Sequence, residues 1–255
     1  MSGASMFSIP DVKNGTLGEA PKETFNDLKD SDKIRSIIQE NPNRKVDHLV
    51  LAQDSKSVKT ALIIGPLIYG TGQGPGNTRS IQAPTLAKTT LEKGQGFRIA
   101  AGKSVWSNVH IRDLGSLFAG LFDAAVGGKD GCWNRDGVYA TENGKLVSPS
   151  HVAGYSDATD FAPQSFGEIG QLIASDAHSK GLIKSARVDN EMTPKEADKV
   201  MPHGSVLLAT NAVTEAERAR KQLNWKPCHE SLEKTISDVV DLEAKRSGEV
   251  NKAEL

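Results

Sequence analysis

The run Lys59 to Ile64, KTALII, constrains this chain more than any other stretch, because it is short, apolar and stopped at once by Gly65-Pro66. Such a run suits a strand covered on both faces, and proline cannot donate to a continuing ladder. Before it, Ile34, Ile37 and Ile38 make a helical face, Pro42 breaks the pattern, and Val46, Leu49 and Val50 resume it. Helix followed by a buried strand is the rhythm of a parallel sheet, so the expected fold class is α/β.

After the strand, Gly70, Gly72, Gly74 and Gly76 alternate in YGTGQGPGNTRS. Their backbone can take conformations closed to other residues and can lie close to a ligand. In open α/β sheets ligands bind outside the carboxyl ends of the strands, where this loop would sit. Pro84, Leu86, Leu91 and Gly94 predict a short helix with an early proline and a terminal glycine. Trp106, Asn108 and His110 fall on a strand-like stretch, where His110 reads as a structural hydrogen-bonding residue ahead of the other reading open to it, a base. The clearest helix carries Leu114, Leu117, Phe118, Leu121 and Phe122, with Asp113 as N-cap and Gly127-Gly128 as its end.

Ser165-Phe166-Gly167-Glu168 and Thr214-Glu215-Ala216-Glu217 both read as capping boxes. A last helix starts at Ser231, and residues 243–255 read as a flexible, solvated tail. Residues 146–164 show no period and read as an irregular insertion. The readings open for it are a surface loop and an in-frame retained intron, since Val147-Ser148 matches the translation of a common splice donor.

Composition narrows the function classes. With 31 Lys and Arg against 32 Asp and Glu, the net charge of -1 offers no footprint for nucleic acid or an anionic membrane. Cys132 and Cys228 lie far apart with no partners at metal-ligand spacing, so no metal site is expected. The opening MSGASMFSIPD has no basic and apolar leader, and the two cysteines suit a reducing compartment; the expected location is cytoplasmic. Gly102-Lys103-Ser104 does not make a phosphate loop, because Phe97 stands where the motif needs glycine.

Taken together and in order, KTALIIGPLIYGTGQGPGNTRSIQAPTLAK, VWSNVHIRDLGSLFAGLFDAA and QLNWKP resemble the extended or atypical short-chain dehydrogenase/reductases, the NAD(P)-dependent epimerase/dehydratase family. The turn from Pro66 to Gly70, the loop from Gly74 to Ser80 and the segment from Trp106 to Leu114 look like a fungal-type branch of it. The likeness covers nearly the whole chain apart from the insertion. It implies the C-terminal part of a Rossmann-like doubly wound fold with a substrate-side subdomain, the cofactor-binding half missing. Residues 1–64 would be the remnant of the sheet and 65–242 the substrate-side subdomain.

By the same resemblance the cofactor is NAD(P), and the substrate is a small molecule with a hydroxyl or carbonyl carbon, sugar nucleotides among the candidates. Gly65, Pro66, Leu67 and Ile68 would flank the nicotinamide, and Asn77, Arg79, Ser80 and Gln82 would face the substrate. Trp225 and Pro227 match the closing turn, a packing feature.

The chain departs from the family twice. No Gly-x-Gly-x-x-Gly or Gly-x-x-Gly-x-x-Gly occurs, so weak or no cofactor binding is expected of this chain alone, and Met1 to Ser5 resembles the end of the family's fifth strand. The family's Tyr-x-x-x-Lys is also missing, since Gln73, Asn143 and Thr159 follow Tyr69, Tyr139 and Tyr155 at that spacing. Arg44 or Lys45 is left for the cationic role and Ser2 for the hydroxyl, with no general acid or base identified. The alternative function is a noncatalytic binding or regulatory fragment, or a defective gene product, whose sheet edge would favour self-association.

Overall fold

The computed structural model describes residues 1–54, 56–129, 133–143 and 163–253. Cys132 and most of the expected insertion lie outside them. The described strands are β1 (Ser2–Gly3), β2 (Phe25–Asn26), β3 (Leu62–Gly65), β4 (Leu67–Tyr69), β5 (Gln95–Ile99), β6 (Asn108–His110), β7 (Val138–Ala140), β8 (Ser185–Met192) and β9 (Thr214–Glu215). The helices are α1 (Ile9–Asn14), α2 (Ser31–Gln39), α3 (Lys45–Leu51), α4 (Gln82–Lys93), α5 (Ile111–Val126), α6 (Phe166–Ser179), α7 (Pro194–Val200), α8 (Gly204–Ala209), α9 (Glu217–Leu223) and α10 (Leu232–Ala253).

Every pairing between these strands is parallel. The KTALII run becomes β3, central in the order β1-β3-β7, with Ser2 opposite Ile64 and Ile63 opposite Tyr139. Gly65-Pro66 ends it as expected, and the chain steps directly into β4, which pairs with β6 through Tyr69 and His110. β2 pairs with β9, and β5 with β8 after an irregularity between Gln95 and Phe97. The class is α/β, as the sequence predicts.

One core gathers Ile34, Ile38, Leu62, Ile64 and Leu67 with Leu86, Ile173 and Ile236, and a second gathers Ile63, Val109, Leu117, Tyr139 and Trp225 around α5. Adjacent residues of β3 thus feed opposite sides of the sheet, and burying each large aliphatic side chain contributes about 1.5–3 kcal/mol. The apolar pattern of residues 31–51 divides at Pro42 into α2 and α3; α2 sends Ile34 and Ile38 into the core, while α3 meets it through Val50 and Leu51. Val46 and Leu49 on α3 are exposed.

Helix ends give both agreement and correction. Gly94 closes α4 at φ +66, and Ser165 with Glu168 forms the predicted box at α6. Asp113 is not the cap of α5: the helix begins at Ile111 and the His110 ring accepts from the Arg112 N–H. Thr214 and Glu215 form strand β9 instead of a box, and α9 is capped from a distant loop by Asp27, whose Oδ1 accepts the Arg218 N–H at 2.8 Å. The other oxygen of Asp27 accepts from Ala140 N–H at 2.9 Å. The stretch from 243, expected as a tail, continues α10 to Ala253, because Glu243 is buried between Arg79 and Arg246.

Candidate functional site

The carboxyl edge of β1 and β3 carries a cluster of chemistry-bearing side chains, Ser2, Ser5, Arg44 and Asp47. β1 delivers Ser2 beside Ile64, and the 3-10 turn Ala4–Ser8 that follows presents Ser5. Across from them Pro42 forces a fresh helix start, so α3 places Arg44 just before its first turn and Asp47 inside it. Ser2 Oγ donates to Asp47 Oδ2 at 2.7 Å. Arg44 donates through Nη1 to Ser2 Oγ and through Nη2 to Ser5 Oγ, both at 3.0 Å, and its Nη1 lies 3.4 Å from Asp47 Oδ2. Asp47 is 4% exposed and Ser2 7%.

The geometry chooses between the two cations left open by the sequence, since Lys45 is exposed while Arg44 binds both serines. Arginine suits this position because its planar fork aims separate N–H groups at separate acceptors and stays protonated. Asp47 belongs to the cluster although sequence reasoning gave it no role. Its signal was only an acidic residue in a first helical turn, where carboxylates are ordinary.

The residues named from the family resemblance are spread around this cluster. Gly65 pairs with Gly3, and a Cβ there would lie 3.6 Å from the Ser2 carbonyl oxygen. Pro66 and Leu67 are buried, and Ile68 is half-buried. Asn77 turns its own loop, its Oδ1 accepting from Arg79 N–H. Gln82 is buried and donates to the Leu207 carbonyl, fastening α4 to α8. Arg79 and Ser80 line a different cavity of about 440 Å³, below α10 and beyond the ends of β4 and β6. Arg79 there makes a two-pronged ion pair with Glu243, at 2.8 and 3.0 Å.

That second cavity also receives His110 and His229, whose rings stack with centroids 4.8 Å apart. Asp113, freed from capping, accepts from His229 Nδ1 at 2.7 Å and from the Cys228 and His229 amides. Burial, and then the adjacent His229 ring, hold His110 below the ordinary histidine value, while burial pushes the Tyr69 phenol well above its usual range. His110, Asp113 and His229 each bring a possible ligand atom within 4.8 Å of the others, with Nδ1 of the two rings engaged by the Arg112 amide and by Asp113.

A dinucleotide pyrophosphate finds no cradle among the described residues. Its cradle needs a glycine turn running straight from strand into helix, with N–H groups facing the phosphates. The glycine string after β4 leads through a loop before α4 begins, and its first member is already filled: at Gly70, φ +85, a Cβ would stand 2.4 Å from His110 Nε2.

The fold is that of the Rossmann-like epimerases and dehydratases. UDP-glucose 4-epimerase of Thermotoga maritima, solved with UDP-glucose, superposes with a TM-score of 0.50 at 13% identity, covering 91% of this chain and 61% of its own. The dTDP-glucose 4,6-dehydratase DesIV of Streptomyces venezuelae, solved with NAD and TYD bound, gives 0.53 at 11% identity over 97% of this chain and 59% of its own. PbgP3 of Burkholderia pseudomallei gives 0.53 at 15%, covering 94% and 61%. The chain thus spans about 60% of the length of these structures. Among curated proteins, oxidase ucsJ of an Acremonium species is 28% identical over 257 residues, covering 96% of this chain and 68% of the relative. No protein-family model matches the sequence. No helix among the described residues is long and apolar enough to cross a membrane.

Proposed function

We propose that this chain carries the substrate side of an NAD(P)-dependent oxidoreductase or epimerase, with Ser2 and Arg44 holding the hydroxyl or carbonyl oxygen of a small-molecule substrate. The observation that carries this reading is the Ser2, Ser5, Arg44 and Asp47 cluster at the carboxyl edge of a parallel sheet. Ligands of open α/β sheets bind at that edge. Arg44 cannot exchange a proton near neutral pH, so its part is to stabilise negative charge on the substrate oxygen. The Ser2 hydroxyl is the mobile donor, at present turned toward Asp47. Gly65 borders this cluster through the Ser2 backbone, and Gly65 to Ile68 keep the place proposed for them beside the nicotinamide. The described residues form no pyrophosphate cradle, so no hydride step is assigned to them alone.

Two titrations of the purified chain test the reading. Hydroxyacetone is expected to shift the amide resonances of Ser2 and Ser5, and Arg44→Met to abolish those shifts. NADH and NADPH, followed by dihydronicotinamide fluorescence, and NAD and NADP as their competitors, are expected to bind no tighter than the millimolar range. Failure of hydroxyacetone to reach Ser2 and Ser5 would move the chain to the noncatalytic alternative, which the missing Tyr-x-x-x-Lys favours. Sub-millimolar dinucleotide binding would contradict the cofactor statement.

A further inference from the structure

We propose that the substrate joins its hydroxyl or carbonyl end to an apolar chain or ring, and that this apolar part lies in the groove between α1 and the turn before α3. The proposal rests on the oxygen-holding role given above to Ser2 and Arg44.

Two cavities, about 560 and 630 Å³, share Ile9, Lys13, Asn41 and Asn43 in their walls, which makes them consecutive stretches of one groove. Ile9 and Lys13 are four residues apart on α1 and so face the groove together. Ser5 and Arg44 lie at the first end. Beyond the shared residues the wall changes character to Met6, Phe7, Phe25 and Ile37, with the Phe7 and Phe25 rings stacked at 4.4 Å. A ligand with its oxygen on Ser5 and Arg44 therefore extends past Ile9 toward half-buried Ile37 and the edges of Met6, Phe7 and Phe25, which are otherwise buried. Such surface rewards apolar carbon, with Asn14, Glu40 and Asn41 as polar groups beside it.

Charge argues against a nucleoside diphosphate in the same place. Among the described residues, Lys13 and Arg44 are the lysine and arginine of the groove, with His203 in the wall beside Arg44; Glu40 lies in the same wall as Lys13, and Arg44 already faces the buried carboxylate of Asp47. The groove is thus nearly neutral, whereas a diphosphate needs at least two uncompensated donors or a row of free amides.

The test is a chain-length series, 2-butanol, 2-hexanol and 2-decanol, with UDP-glucose as competitor, titrated into the full chain and followed by protein NMR. If the tail lies in the groove, affinity rises by up to roughly fourfold per methylene, and 2-decanol binds at least a hundredfold tighter than 2-butanol. Ile9→Asp, which puts an acidic residue at the start of α1 where it is tolerated, is expected to flatten that dependence. A flat series in the unmodified protein, or UDP-glucose displacing 2-decanol at lower concentration, overturns the proposal. If the flat series still shifts Ser2 and Ser5, the groove assignment fails and the oxygen site stands. If the series is steep but Ser2 and Ser5 never shift and Arg44→Gln changes nothing, the proposal falls with its premise.

Discussion

At Arg44 one guanidinium serves Ser2, Ser5 and Asp47, and this is where the candidate site is most exposed to mutation. Its side chain is 17% exposed against 6% for that of Asp47, so the carboxylate depends on it for compensation. Arg44→Lys keeps the charge but loses the fork, at an expected cost of about 1.5 kcal/mol. Arg44→Met strands the buried carboxylate and is expected to cost about 3 kcal/mol, part of which returns when Asp47→Asn is added. Urea denaturation of the two single variants and the double variant measures this. Equal losses for lysine and methionine would show that Asp47 needs no counter-charge. Ser2 and Arg44 were legible in the sequence only through family resemblance. Asp47 was not, because the hydroxyl that gives it a role arrives from 45 residues away.

At the scale of elements, legibility followed how local the deciding interaction is. The Ser165 box and the Gly94 terminus are closed by residues within a few positions, and both were read correctly. Thr214 to Glu217 has the same letters as a box, but pairing with β2 claims Thr214 and Glu215 for a strand. The polar end of α10 likewise looked like a tail because its organising contact lies outside it. Glu243, whose side chain is only 4% exposed, binds Arg79 and Arg246 and so fastens α10 to the loop before α4. Glu243→Gln is expected to cost about 2 kcal/mol and to speed amide exchange in both helices. Glu92→Gln, which breaks only the exposed pair with Lys88, is expected to stay within about 0.5 kcal/mol. Matching effects of the two variants would remove Glu243 as the fastening point.

For the whole molecule the unifying residue is Asp27, which no sequence pattern marks. From the loop after β2 it holds the end of β7 through Ala140 and the start of α9 through Arg218, and it is fully buried. Burial raises its carboxyl from 3.8 to about 6, even though the amides of Arg218 and Ala140 and the Arg218 charge pull the other way. A carboxyl raised in the folded state binds its proton more readily there than in the unfolded chain. Its contribution to stability is therefore greatest below pH 4 and is lost as the pH rises from about 4 through about 6, after which it changes no further. A shift of this size corresponds to roughly 3 kcal/mol. His110, held below its ordinary value, slopes the opposite way just below pH 6.5, so the raw profile mixes the two. The difference between the unmodified protein and Asp27→Asn cancels the histidine and isolates the carboxyl. Urea midpoints across pH 4 to 7 are expected to show the unmodified protein losing stability relative to the variant up to about pH 6. Parallel profiles would mean that Asp27 keeps its charge throughout and that the three segments are held by an ionised carboxylate.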